Sequence, residues 1–94
     1  MIKSFADPET EALFQGQRPR HLPPSVVRQA ARKLLVLNAV SVIRELAMPP
    51  GNRLEKLKGR RSGQYSIRIN DQRRICFNWR DGDVYEVQVT DYHS

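Results

Sequence analysis

Three consecutive residues near the end of the chain, Asp91, Tyr92 and His93, set a carboxylate, a phenol and an imidazole side by side. These are the group types that general acid–base chemistry uses. Metal-free scission of RNA needs little more than such groups and a nearby cation. A base takes the 2′-hydroxyl proton, an acid protonates the leaving 5′-oxygen, and positive charge offsets what gathers on the phosphorus oxygens. The tripeptide alone is not specific, because a histidine beside a chain end is ordinarily a solvated residue. Its position directly after a strand whose partners carry arginines is what gives it weight. Arginines fixed on strands hold their guanidinium groups in place, which suits bidentate binding of phosphate.

The arginines are concentrated. Arg53, Lys56, Lys58, Arg60, Arg61, Arg68, Arg73, Arg74 and Arg80 are nine of the sixteen Lys and Arg residues, and only Glu55 and Asp71 oppose them. The stretch from 53 to 80 therefore carries 9 − 2 = +7 against +6 for the whole chain, leaving −1 for the remainder. A surface facing a polyanion is the direct reading. A pI near 10.1 favours nucleic acid, and an acidic protein partner fits as well. The structural alternative is a solvated strand face with cross-strand Arg–Glu pairs.

Composition narrows the class. Ninety-four residues, 39% hydrophobic and 28% charged, describe one soluble globular domain, numbered 1–94, with room for a single core. No apolar run reaches the roughly 18 residues of a membrane span. The N-terminus lacks a long apolar stretch followed by a small-residue cleavage site, so a cytoplasmic location is expected. The lone Cys76 rules out an internal disulfide and is read as a passive thiol. No metal-ligand spacing and no phosphate-binding glycine loop occurs, so neither metal nor cofactor is expected. His21 reads as an exposed loop residue, and Phe77 and Trp79 as core. Tyr65 is open between core packing and base stacking.

The elements that must position these groups follow from spacing. Residues 2–5 read as a short first strand. Asp7 as N-cap, Pro8 at the first position, and Glu9 and Glu11 in the first turn predict a helix ending near Gly16. Residues 17–24, with three prolines and two arginines, read as a mobile loop. Ser25 is expected to cap a second helix through about Leu37, with Val27, Ala30, Ala31, Leu34 and Leu37 as its buried stripe and Arg28, Arg32 and Lys33 solvated. A shorter helix restarting at Asn38 or Ser41 would share Ala39, Ile43, Leu46 and Ala47 on one face and form a hairpin with its predecessor. Pro49 and Pro50 stop it.

Beyond Gly51 the period changes to two. Leu54 and Leu57 frame a short extended segment. Three alternating strands follow, with apolar faces Tyr65/Ile67/Ile69, Ile75/Phe77/Trp79 and Tyr85/Val87/Val89. Residues 70–73 and 80–83 supply hairpin turns. The result is an α+β fold, with N-terminal helices packed on one face of a twisted antiparallel β-sheet. The opposite face would show Arg68, Arg74, Asn78, Glu86 and Gln88 to water or ligand.

The run PPGNRLEKLKG, then G-Q-Y-S-I-R-I-N-D-Q-x-R-I-C-F-x-W and a terminal V-x-x-V-x-V-x-D-Y-H, resembles the HigB branch of the RelE/ParE toxin superfamily over nearly the whole chain. The resemblance implies a RelE-like fold in a cytoplasmic bacterial type II toxin. It also implies a HigA-like helix-turn-helix antitoxin as partner, with operator DNA bound only through the toxin–antitoxin complex. Members of this branch typically cleave mRNA in the ribosomal A site without metal, which implies a ribosome-dependent endoribonuclease. On that resemblance Asp91, Tyr92 and His93 match the catalytic end, with His93 as the proton-transfer group. Arg74 takes the place of the arginine that holds the scissile phosphate.

Lys58 matches the basic residue of the lysine motif and should face RNA with Arg53, Lys56, Arg60, Arg61, Arg68 and Arg73. Asn70 and Gln72 lie in the hairpin bordering the site. Glu55 stands where some members have a histidine, and a carboxylate there can also act as a base. Arg73 stands where relatives commonly carry tryptophan, adding a charge beside Arg74. Two other classes compete: a ParE-like inhibitor that poisons DNA gyrase without cutting, and a basic domain that only binds a partner.

Overall fold

The computed structural model describes residues 1–91, and Tyr92, His93 and Ser94 lie outside the described residues. Helix α1 (Pro8–Phe14) starts as its sequence predicts. The Asp7 carboxylate accepts from the Thr10 amide at 2.7 Å, Pro8 opens the helix, and Glu9 and Glu11 occupy the first turn. It ends on Gly16 at φ +90°, with the Gln17 amide donating to Ala12 O (2.9 Å) and the Gly16 amide to Leu13 O (3.1 Å). That pair of bonds needs a left-handed residue at the turn, which glycine adopts without penalty.

Helix α2 (Pro24–Ala39) corrects the expected boundaries. Pro23 is its N-cap and Pro24 its first residue, so Ser25 lies inside the first turn and makes no cap bond. Proline at this position is pre-set for helical φ and has no N–H to leave unpaired. Val26, Val27, Ala30, Leu34 and Leu37 are buried. Ala31 is only half-buried, Leu35 and Val36 are exposed, and Lys33 is held by Asn52 rather than solvated. The expected third helix is one 3₁₀ turn, Ile43–Ala47, with Ala39 and Ala47 exposed and Leu46 buried. The Glu45 carboxylate closes it by accepting from the Ser41 and Val42 amides. The helix that packs on α2 is therefore α1.

Strands β1 (Glu55–Lys56), β2 (Gln64–Arg68), β3 (Arg73–Arg80) and β4 (Asp83–Asp91) form one antiparallel sheet in sequence order. The expected first strand is reduced to two parallel bridges, Ile2 to Val84 and Phe5 to Val87, running along the outer edge of β4. Both helices contact β4 on one face of the sheet. There Leu13, Ala30, Leu34 and Leu37 meet Ile67, Ile75, Phe77, Val84 and Val87 in one buried cluster, each large side chain contributing about 1.5–3 kcal/mol. Trp79 and Tyr65 pack against that cluster, Tyr65 stacking on Phe77 with ring centroids 6.2 Å apart. Thr10, itself buried, accepts from the Val89 amide at 3.0 Å and ties α1 to β4.

The alternation expected for β4 is overturned. Cys76 pairs with Gln88 but Asn78 with Tyr85, so β4 carries one extra residue at this point. Glu86 takes it up at φ +54°, a β-bulge in a left-handed conformation. Parity flips across the bulge: Val84 points into the core with Val87, and Tyr85 lies on the opposite face beneath the Arg80 guanidinium, 4.2 Å from its ring centre. Asp81 (φ +50°) and Gly82 (φ +82°) make the two-residue turn before β4, as an Asp-Gly pair should. In the loop at 17–24 Leu22 is buried, and His21, exposed as expected, meets the Glu9 carboxylate at 2.6 Å.

Candidate active site

The centre of the sheet's second face is Arg74, and it is not displayed to solvent as the alternation implied. It is 9% exposed. Its Nε donates to Ser66 Oγ at 2.7 Å, and Ser66 is wholly buried on the neighbouring strand. Its Nη2 donates to the Arg53 carbonyl at 2.5 Å and lies 3.7 Å from Glu55 Oε2. Strand β3 supplies the arginine, β2 the hydroxyl, the chain entering β1 the carbonyl, and β1 itself the carboxylate. A guanidinium has five donors in a rigid fork, so bonds to its Nε and Nη2 fix its plane as well as its position. Glu55 reaches it because Glu55 pairs with Ser66, which puts both on Arg74's face.

Register sorts the other candidates. Lys56 pairs with Tyr65, a residue of the helix-covered face, so it does not join Glu55. Thr90 pairs with Arg74, whereas Asp91 pairs with Arg73, so the strand ladder sets Asp91 beside Arg73 and not beside Arg74. Tyr92 and His93 lie outside the described residues. Lys58 and Arg60 are exposed around the 3₁₀ turn Gly59–Arg61. Arg61 lies across the sheet face, donating to Gln64 (3.0 Å) and to Gln88 (3.1 Å).

Arg53 is exposed, and it serves Arg74 through its backbone. Arg68 pairs with Asp71, a surface ion pair of small energetic weight. Asn70 accepts from the Gln72 and Arg73 amides at 2.8 and 2.9 Å, so its side-chain oxygen builds the hairpin. Glu86, expected on the ligand face, is engaged with Ser4 at the bulge. Cys76 is buried with Thr90 Oγ1 3.4 Å from its sulfur.

Two holders of Arg74 were not read from the sequence. Ser66 had a signal, since it alternates with Tyr65 and Ile67 and so shares the arginine's face. The Arg53 carbonyl had none, because no pattern marks a backbone oxygen. Among the described residues no group of three or more His, Cys, Asp or Glu could hold a metal. A cavity of about 240 Å³ lies elsewhere, lined by Arg18, Leu22, Val27 and Arg28 among others.

Two helices on one face of an antiparallel sheet, with an anchored arginine on the other, define the class: a small RelE-like α+β protein. The family described as RelE-like toxin of type II toxin–antitoxin system HigB matches residues 3–93. The chain is 40% identical over 83 residues to Toxin HigB-1 of Vibrio cholerae serotype O1, covering 87% of each protein. It is 32% identical over 93 residues to Endoribonuclease HigB of Proteus vulgaris, covering 99% of this chain and 100% of that one.

A YoeB–YefM toxin–antitoxin complex from Staphylococcus aureus shares the fold at a TM-score of 0.60 and 23% identity, over 100% of this chain and 99% of that one. A YoeB dimer from the same organism does so at 0.57 and 25%, over 99% and 95%. The chain belongs to the HigB-like toxins. Among the described residues no helix is long and apolar enough to cross a membrane.

Proposed function

We propose that this chain is a single toxin domain that cleaves mRNA in the ribosomal A site by metal-independent acid–base chemistry and so arrests translation. The observation that carries the reading is Arg74, fixed by Ser66 and Arg53 on the face opposite the helices. A pre-positioned cation of this kind needs no reorganisation when charge develops on a phosphate. The name of the Proteus vulgaris relative, Endoribonuclease HigB, supports RNA cleavage.

In the proposed step a base removes the 2′-hydroxyl proton and the freed oxygen attacks phosphorus. The bond to the 5′-oxygen breaks, and an acid protonates that oxygen. His93 is the proton-transfer group, with Asp91 and Tyr92 beside it in sequence, and Glu55 is the second candidate base. Lys58, Arg60 and Arg61 meet the RNA backbone. The toxin acts in the cytoplasm and is neutralised by a HigA-like helix-turn-helix antitoxin, through which alone it meets operator DNA. The toxin–antitoxin complexes of its structural relatives support an antitoxin partner.

Primer extension on a defined mRNA, with and without programmed ribosomes, tests this. Cuts that need ribosomes and vanish in His93→Ala are expected. No cuts from a folded protein that still arrests growth would replace the reading with a non-cutting inhibitor, and DNA-damage signalling would then show whether gyrase is the target.

A further inference from the structure

One end of the Arg74 clamp belongs to the end of a turn that is not part of the strand ladder. The turn is the 3₁₀ segment Pro50–Asn52, closed by the Asn52 amide donating to Pro49 O (3.0 Å) and the Arg53 amide to Pro50 O (3.1 Å). Arg53 leaves it at φ +45°, ψ +58°, a left-handed conformation that costs a non-glycine residue about 1–2 kcal/mol and persists only where its surroundings enforce it. That conformation aims the Arg53 carbonyl at Arg74.

Asn52 does the enforcing. Its side chain is 1% exposed, its Nδ2 donates to the Leu46 carbonyl at 3.1 Å, and its Oδ1 accepts from Lys33 Nζ. Leu46 is itself buried in the 3₁₀ turn before it, and Lys33 projects from α2 in the helical layer. An asparagine buried in this way must keep its bonds, since an orphaned amide costs about 1–3 kcal/mol. The amine bears a further mark of confinement: burial, then the charges of Arg32 and Arg68, hold the Lys33 pKa below its usual value.

We infer that Asn52 and Lys33 are positioning residues for Arg74, linking α2 through the Pro50–Asn52 turn and the Arg53 carbonyl to the guanidinium on the far face of the sheet. Neither residue stands on that face, and neither reaches the reacting phosphate. Their effect passes through one backbone oxygen. The inference rests on the nuclease reading for its catalytic meaning and on geometry alone for the coupling.

The two are separated by two measurements on folded Asn52→Ala and Lys33→Met proteins. The first is the ¹⁵N spectrum of the Arg74 guanidinium. The wild type is expected to show slow exchange and a single rigid environment, and both variants faster exchange. Unchanged Arg74 signals in either folded variant would overturn the coupling, whether or not the protein cuts RNA. The second is cleavage kinetics in Lys33→Met, in Asn52→Ala, and in Asn52→Ala combined with Arg74→Ala. A misplaced cation should lower kcat about 10-fold or more with KM little changed.

Adding Asn52→Ala to Arg74→Ala should cost no further activity, because the two act through one network. An Asn52→Ala loss undiminished in the Arg74→Ala background would also overturn the proposal. If Asn52→Ala does not fold, Lys33→Met carries both tests, since a methionine fills the lysine stem without its donor. A wild type that cuts no RNA while both variants loosen Arg74 would remove the nuclease reading and leave the coupling standing.

Discussion

Arg74 and Ser66 sit diagonally on adjacent strands, and the Arg74 Nε–H points at the Ser66 hydroxyl 2.7 Å away. Neither is on a loop. Ser66 pairs directly with Cys76, so the small side chain leaves room for the guanidinium to lie back over β2 toward β1. The charge is thereby set on the two middle strands of the sheet. Ser66→Ala should cost about 1.5–3 kcal/mol, the range for a hydrogen bond to a charged group. Urea denaturation reads it, and a loss under about 0.5 kcal/mol, within the range of ordinary surface substitutions, would show that the bond does not hold the arginine.

Arg74→Ala should lower cleavage about 10²–10³-fold, as removal of a pre-organised donor to a developing anion does. Arg74→Lys is the sharper variant. It keeps the charge and loses the fork, so Ser66 and Arg53 cannot both be satisfied in the original geometry. Its cleavage rate should lie nearer that of Arg74→Ala than that of the wild type. A near-wild-type rate would mean that charge alone suffices.

Lys33 gives a pH dependence of stability with a definite sign. Its pKa in the folded chain is lowered from 10.5 by burial, with Arg32 and Arg68 adding to the effect. The unfolded chain thus holds the proton more tightly, and the charged amine weighs against folding. That penalty is full below the folded pKa and disappears as pH rises to the unfolded value of 10.5. Between those limits, stability measured against Lys33→Met should move in the wild type's favour as pH rises. The comparison cancels the other lysines and the tyrosines, and a flat difference would remove the assignment.

The bulge at Glu86 predicts unequal costs for neighbouring residues. Val84→Ala, at a wholly buried position, should cost about 2 kcal/mol. Tyr85→Ala should cost about 0.5–1 kcal/mol, chiefly the Arg80 contact. Uninterrupted alternation makes the opposite forecast, so thermal denaturation of the two variants decides the register.

That contrast also marks what the sequence does and does not make legible. Asp7, Pro8 and Gly16 announce α1 because capping chemistry is local. Strands β2 and β3 are legible because their period is unbroken, and Arg74 follows from β3's phase. A bulge residue in a left-handed conformation is not legible, since Glu86 carries no glycine to betray it and Ser4, which binds it, lies 82 residues away. Lys33 looks solvated by spacing, because its partner Asn52 belongs to another element. The N-terminal segment reads as a strand from its apolar residues, while the bulge allows it only two bridges to β4. The family resemblance puts Asp91 in the catalytic end without giving its strand partner, and the cross-strand register pairs it with Arg73 while Thr90 pairs with Arg74.

The two bridges along β4 have a consequence for how the protein is made. Lys3 and Ala6 donate to Val84 and Val87, and the amides of those valines donate back to Met1 and Ser4. These backbone groups of residues 1–6 therefore wait for residues 84–87 before they are satisfied. Until β4 has been made the helices have only β1, β2 and β3 to pack on, and β3 has an open edge. Such non-local closure is slow, because the loop entropy is lost before the contacts form. A chain of this toxin that stops short of β4 thus has neither a completed sheet nor an edge for its N-terminal segment to bridge.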